Sequence, residues 1–89
     1  MPRYTTEIKS SARRELDALP LATRERIAGA IAQLANEPRP SGCRKLSDTS
    51  PVIYRIRVGA YRILYEIRET ELVILVVAIG PREHVYRRR

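Results

Sequence analysis

The chain has 89 residues, 44% of them apolar and 30% charged, enough for one domain with a modest core. No apolar run approaches the ~20 residues of a membrane span. Fifteen arginines and two lysines against ten acidic residues leave a net charge of +7, which points to a polyanion or an acidic protein as partner, with arginine suited to forked contacts to phosphate.

From the N-terminus, "MPRYTTEIKSSARREL" lacks the apolar stretch of a secretory signal. Tyr4–Lys9 reads as a short strand, since β-branched and aromatic residues dominate it. Ser10 or Ser11 is placed to cap a helix in which Ala12, Leu16 and Leu19 share one face, and Pro20 ends it. A second helix is predicted from Ala22 to Asn36, with Ile27, Ala30, Ile31, Leu34 and Ala35 at spacings of three and four. The tight connection makes the two an antiparallel pair. "NEPRPSGCRKLSDTSP" reads as a loop. Its Cys43, the sole cysteine, rules out an internal disulfide and is expected to be a free buried or half-buried thiol in a reducing cytoplasm. Three strands follow: Val52–Val58, Tyr61–Arg68 and, after the turn "ETE", Leu72–Ile79. The last, "LVILVVAI", is apolar without alternation and is expected at the centre of the sheet, covered on both faces. The tail "GPREHVYRRR" is polar and basic. The order β-α-α-β-β-β describes an α+β domain over residues 1–89, a helical hairpin packed on one face of a mainly antiparallel sheet.

One stretch carries a conflict. "YRIRVGAYRILYEIR" alternates apolar and polar residues around Gly59-Ala60, as a β-hairpin with a type II′ turn does. Val58 then pairs with Tyr61, Arg57 lies opposite Arg62, and Arg55 lies opposite Leu64 and diagonal to Arg62. Tyr54, Ile56, Val58, Ile63 and Tyr65 point to the other face, towards the helices. Like charges facing each other cost stability. Two readings follow: an ordinary solvated outer face, or a cationic site for a phosphate. A solvated face interleaves acids with bases, and here only Glu66 and Glu7 are at hand. The tail supplies Arg82, Tyr86, Arg87 and Arg88; a tyrosine among arginines suits single-stranded RNA, the ring stacking on a base and the guanidinium groups holding phosphate.

Taken together, "SARRELDALP", "AIAQLANEPRP", "CRKL", "YRIRVGAYRILYEI" and "IGPREHVYR" resemble toxins of the RelE/ParE superfamily, RelE-like branch, over nearly the whole chain. The resemblance implies the toxin of a type II toxin–antitoxin system: a cytoplasmic endoribonuclease that enters the ribosomal A site and cleaves the mRNA codon there. The cut is made by attack of a ribose 2′-OH on the adjacent phosphate, with no metal or other cofactor. It also implies that Arg55, Arg57, Arg62, Arg82 and Tyr86 are the catalytic set. In that reading Arg55 and Arg62 stabilise the five-coordinate phosphate, Arg82 serves the leaving 5′ oxygen, and Tyr86 stacks on or orients the base. Lys45, Arg87 and Arg88 are candidate RNA contacts. The implied partners are a RelB-like antitoxin, acidic and folding on binding, the ribosome with its rRNA, and mRNA.

Two departures bear on the chemistry. The family's best-known member has lysine at the positions of Arg55 and Arg57, one of them proposed as general base. Arginine stays protonated above about pH 12, so Arg57 lowers the 2′-OH pKa by charge alone, or Glu66 or His84 takes the proton. Many relatives also carry histidine and aspartate where this chain has Pro81 and Ala60. A second reading, from the ParE-like branch, is a DNA gyrase inhibitor without RNase activity. A third, a basic nucleic-acid-binding module, has no recognised binding signature behind it.

Overall fold

The computed structural model describes residues 3–46, 48 and 50–81. Its first strand, β1 (Thr5–Ile8), alternates exposed Thr5 and Glu7 with half-buried Thr6 and Ile8. Lys9 donates its backbone N–H to the Val76 carbonyl at 2.9 Å and stays extended, with φ −57° and ψ 145°. That bond fixes where the first helix starts. Helix α1 (Ser10–Asp17) therefore has Lys9 at its N-cap without a side-chain cap, and the expectation of a serine cap is corrected: the strand runs straight into the helix and leaves no extended serine to do the capping. Ala12 and Leu16, four apart, are buried, and Leu19 packs on the same cluster.

Pro20 does not end the first helix directly. It stands at the N-cap of α2 (Leu21–Leu34), where its fixed φ suits the entry. The second helix stops two residues short of the predicted Asn36, because the Ala35 and Asn36 N–H groups bond three residues back, to Ala32 and Gln33, tightening the last turn.

The segment read as loop contains a further strand, β2 (Arg44–Lys45). Two basic residues give no periodic signal; tertiary anchors hold them. The Leu46 N–H donates to the Ile53 carbonyl at 2.7 Å, the Tyr65 hydroxyl donates to the Pro38 carbonyl at 2.6 Å, and Arg39 lies over the Tyr54 ring at 5.2 Å. The remaining strands are β3 (Ile53–Val58), β4 (Tyr61–Arg68) and β5 (Val73–Pro81).

The sheet order is β1-β5-β4-β3-β2, with β1 parallel to β5 and every other pair antiparallel. Strand β5 is thus interior, as its apolar run implied. One face carries the main core, in which Ile27, Ile31 and Leu34 of α2 and Ala12 and Leu16 of α1 meet Ile56, Ile63, Tyr65, Ile74, Val76 and Ile79. The other face has only a small apolar patch of Ile53, Leu64 and Ala78, with Leu46 and Val77 against it. Register shifts by one residue between Leu64 and Tyr65, leaving Val77 as the extra residue of β5, a bulge that increases local twist.

Candidate functional site

Gly59 opens the β3–β4 turn at φ +60°, a conformation that costs a side chain and that glycine adopts freely. Val58 pairs with Tyr61, Arg57 with Arg62 and Arg55 with Leu64, the register expected from the sequence. On the face away from the main core this produces two adjoining rows. Arg44, Arg55, Leu64 and Ala78 make one, and Arg57, Arg62 and Gly80 make the next. Facing side chains in such rows start about 4.5–5.5 Å apart, and the rows lie about 6.8 Å apart along the strand. Four guanidinium groups therefore rise from one small area.

This is not an ordinary solvated face. Arg55 and Arg62 retain only 5% and 7% of their exposure, whereas Arg57 and Arg44 are exposed. The Arg55 Nε is buried and meets no hydrogen-bond acceptor among the described residues. A buried donor left in that state costs about 1–3 kcal/mol. Like charges directly across the sheet add to the cost. The apolar floor of Leu64 and Ala78 lowers the local dielectric, so an arriving anion is attracted more strongly than at an open surface. On β5 the residues paired with Leu64 and Arg62 are the small Ala78 and Gly80.

The remaining residues singled out in the sequence fall into three groups. Glu66 faces Ile53, one alternation beyond Leu64, and pairs with Arg68 at 3.1 Å. It lines a separate hollow with Lys9 and Glu15 and lies in the row next to Arg55 and Leu64, on the side away from Arg57 and Arg62. Lys45 pairs with Tyr54 and thus shares the helix-facing side; its ammonium is 3.5 Å from Asp48. Arg82, His84, Tyr86, Arg87 and Arg88 lie outside the described residues. What is described is that β5 ends at Pro81, one residue past Gly80, the partner of Arg62.

Arg44 was not legible as a site residue. The tetrapeptide "CRKL" contains two basic residues on consecutive positions, which a strand sends to opposite faces. Only the pairing of Arg44 with Arg55 decides which one joins the cluster.

The loop that delivers Arg44 is tied down on the other face. The Arg39 Nη2 pairs with Glu69 at 2.7 Å and its Nε donates to the Tyr54 hydroxyl at 3.3 Å; these bonds, Glu69 foremost, raise the Arg39 pKa still further. Tyr54 stacks on Tyr65 with centroids 5.8 Å apart. Burial, aided by the neighbouring Cys43 thiol, holds the Tyr65 phenol well above its ordinary pKa. Cys43 is half-buried and free, as expected. Among the described residues no three His, Cys, Asp or Glu side chains are grouped to hold a metal ion, and no helix is long and apolar enough to cross a membrane.

Residues 6–86 match the family model of the ParE toxin of type II toxin–antitoxin systems, parDE. The chain belongs to the RelE/ParE toxin superfamily. Its relatives place it in the RelE-like branch. Toxin RelG of Mycobacterium tuberculosis is 31% identical over 93 residues, covering 96% of this chain and 98% of RelG. The archaeal RelE–RelB complex from Pyrococcus horikoshii superposes with a TM-score of 0.80 at 29% identity, covering 91% of this chain and 97% of that one. The toxin–antitoxin complex RelBE2 of M. tuberculosis gives a TM-score of 0.77 at 25% identity, over 92% of this chain and all of the other. The α+β architecture is therefore that of RelE toxins, and the chain is a RelE-like toxin of a type II toxin–antitoxin system.

Proposed function

We propose that this RelE-like toxin is a ribosome-dependent mRNA endoribonuclease that cuts codons in the A site. The observation that carries the reading is the pair of rows on the outer sheet face, with two arginines buried beside exposed Arg57. The reaction needs little beyond charge. The ribose 2′-OH loses its proton as its oxygen bonds to the adjacent phosphorus, the bond from phosphorus to the 5′ oxygen breaks, and that oxygen takes up a proton. Charge gathers on the phosphoryl oxygens as phosphorus becomes five-coordinate. Arg55 and Arg62, held from two strands, stabilise that charge, and each such contact is commonly worth roughly 3–4 kcal/mol, or about 10²–10³ in rate.

Arg57 does not accept the proton, since guanidinium stays charged; it lowers the 2′-OH pKa. His84 or solvent takes the proton, while Glu66 is engaged by Arg68. Arg82 serves the leaving oxygen and Tyr86 stacks on the base. Arg87 and Arg88 hold RNA backbone around the cut, and Lys45, on the helix-facing side of the sheet, meets the strand only away from it. Relatives solved as RelE–RelB and toxin–antitoxin complexes support a RelB-like antitoxin as partner, and an acidic one complements a net charge of +7. A cytoplasmic location follows from a ribosomal target.

Primer-extension mapping in a purified translation system tests this. Ribosome-dependent cuts within A-site codons, abolished in Arg62→Ala, Arg82→Ala and Tyr86→Ala, are expected. The match to the ParE toxin model favours a second reading, inhibition of DNA gyrase. A chain that stops growth and blocks supercoiling without cutting mRNA establishes that second reading instead.

A further inference from the structure

Strand β2 is only two residues long, so it covers Tyr54 and Arg55 of β3 and leaves Ile56–Val58 without a strand neighbour on that side. The chain turns away there: the Cys43 N–H bonds back to the Pro40 carbonyl at 3.0 Å, and Gly42 takes φ +89°. The result is a cleft of about 540 Å³ between the β3 edge and the last turns of α2. Arg44, Arg55, Arg57 and Val58 line it from the strands, Gln33 from the end of α2, and Pro40 from the segment that follows the helix.

The two walls ask for different chemistry. The arginine wall brings three guanidinium groups together, and two of them, Arg44 and Arg57, are exposed, so an anion placed there gains charge-assisted hydrogen bonds. The opposite wall is the carboxyl end of a 14-residue helix, which carries partial negative charge and repels an anion. A ligand that fits both has a phosphate at one end and a flat, neutral, hydrogen-bonding body at the other. Gln33 supplies an amide with both donor and acceptor capacity, and Pro40 and Val58 supply an apolar face for a ring.

We infer that this cleft is a subsite for one nucleotide of single-stranded RNA flanking the scissile phosphate, with its phosphate on Arg44 and Arg57 and its base edge against Gln33. The inference rests on the endoribonuclease reading for the identity of the strand, and it makes Arg44 a substrate contact and Gln33 the residue that reads the base. Arg55 and Arg57 belong to both the cleft and the rows of the outer face, so a strand lying on the rows continues into the cleft without leaving its cationic track.

The test needs no ribosome. The full chain, isotopically labelled, is titrated with each 5′-nucleoside monophosphate, with ribose 5-phosphate and with inorganic phosphate, and followed by amide NMR shifts, which also report whether each variant is folded. Nucleotides are expected to shift Gln33, Gly42 and Arg44 and to bind about tenfold more tightly than ribose 5-phosphate, the size of one good base contact. Gln33→Ala removes that advantage but keeps phosphate binding, and Arg44→Met weakens both. Equal affinity for nucleotide and inorganic phosphate, with shifts confined to Arg55–Arg62, overturns the subsite. So does a cleft that ignores nucleotides yet saturates with an acidic peptide, which marks it as a protein-docking groove. If A-site cutting is absent while the titration succeeds, the cleft is a nucleotide site but its place beside a scissile phosphate falls with the cleavage reading; cutting with a silent titration sinks the subsite alone.

Discussion

Replacing Arg55 with methionine separates what the arginine costs the fold from what it contributes to the chemistry. Arg55 is 5% exposed, directly across from Arg44 and diagonal to Arg62. With charged heads about 7 Å apart and an effective dielectric near 20, each like-charge pair costs roughly 2 kcal/mol before salt screening. The buried Nε without an acceptor costs about 1–3 kcal/mol more. Methionine keeps most of the aliphatic stem that packs on the sheet, and such a near-isosteric swap loses less than about 1.5 kcal/mol. The balance favours the variant, by about 1–2 kcal/mol, since salt and relaxation reduce the repulsion. For a chain of this size that is a rise in Tm of about 5–15 °C. Thermal and urea unfolding in moderate salt measure it, and cleavage assays on the same preparations should show a loss of about 10²–10³. Added sulfate should stabilise the wild type more than the variant, because an anion that binds only the folded cluster shifts the equilibrium by mass action. A variant less stable than wild type by more than about 1 kcal/mol would make Arg55 a structural residue. Greater stability with cleavage intact would remove Arg55 from the active site.

Three further substitutions probe the frame around the site. Tyr65→Phe deletes the hydroxyl that donates to Pro38 and should cost about 1 kcal/mol at neutral pH. Because burial raises the Tyr65 pKa in the folded state, its stabilising effect is complete below the unfolded value of about 10 and is lost as pH rises above it, at up to about 1.4 kcal/mol per pH unit; urea titrations from pH 9 to 11 should show that extra slope in wild type and not in the variant. Gly59→Ala forces a side chain to φ +60°, with its Cβ 3.5 Å from the Arg26 guanidinium, and should lower stability by about 1–2 kcal/mol in chemical denaturation. Leu72 holds φ +58° as a bulky residue at 40% exposure, so Leu72→Asn should raise the unfolding midpoint, by about 0.5–1 kcal/mol of relieved strain.

The hairpin was readable because three independent signals agreed: alternation on both strands, a glycine at the turn, and an apolar set on one face. Register followed without ambiguity, and with it the placement of Arg55, Arg57 and Arg62. The interior position of β5 was readable from eight apolar residues in a row, but its expected cover on both faces was not met: the helices pack on one face and Val73, Leu75 and Val77 stay half-exposed. Strand β2 was not readable. Its two residues are held by the Arg39–Tyr54–Glu69 contacts and the Tyr65–Pro38 bond, all of them long-range, and a basic dipeptide among prolines carries no period. Which of the consecutive residues Arg44 and Lys45 shares the face of the arginine rows was hidden for the same reason. Burial of Arg55 and Arg62 was equally hidden, because charge and alternation alone describe a wet surface.

The two faces of the sheet divide the work. The helix-covered face packs isoleucines, leucines and Tyr65 to near-complete burial, which stabilises the fold by roughly 1.5–3 kcal/mol for each large apolar side chain. The other face carries four arginines on neighbouring positions, an arrangement that subtracts from stability and that no packing argument requires. A sheet pinned from behind by a full core tolerates such a loss, and rigid strands keep the guanidinium groups in place without reorganisation when charge develops between them. Arginine in place of lysine sharpens the consequence. It cannot shed its proton to serve as a base, so a site built from Arg55, Arg57 and Arg62 has only electrostatic stabilisation and orientation to offer. If that is how the toxin cuts RNA, its rate between about pH 6 and 9 should not show the rise of a titrating lysine, and His84→Ala should remove any single ionisation in that window. A cleavage profile in which His84→Ala leaves such an ionisation in place would contradict this, because the arginine rows have no group that could produce it.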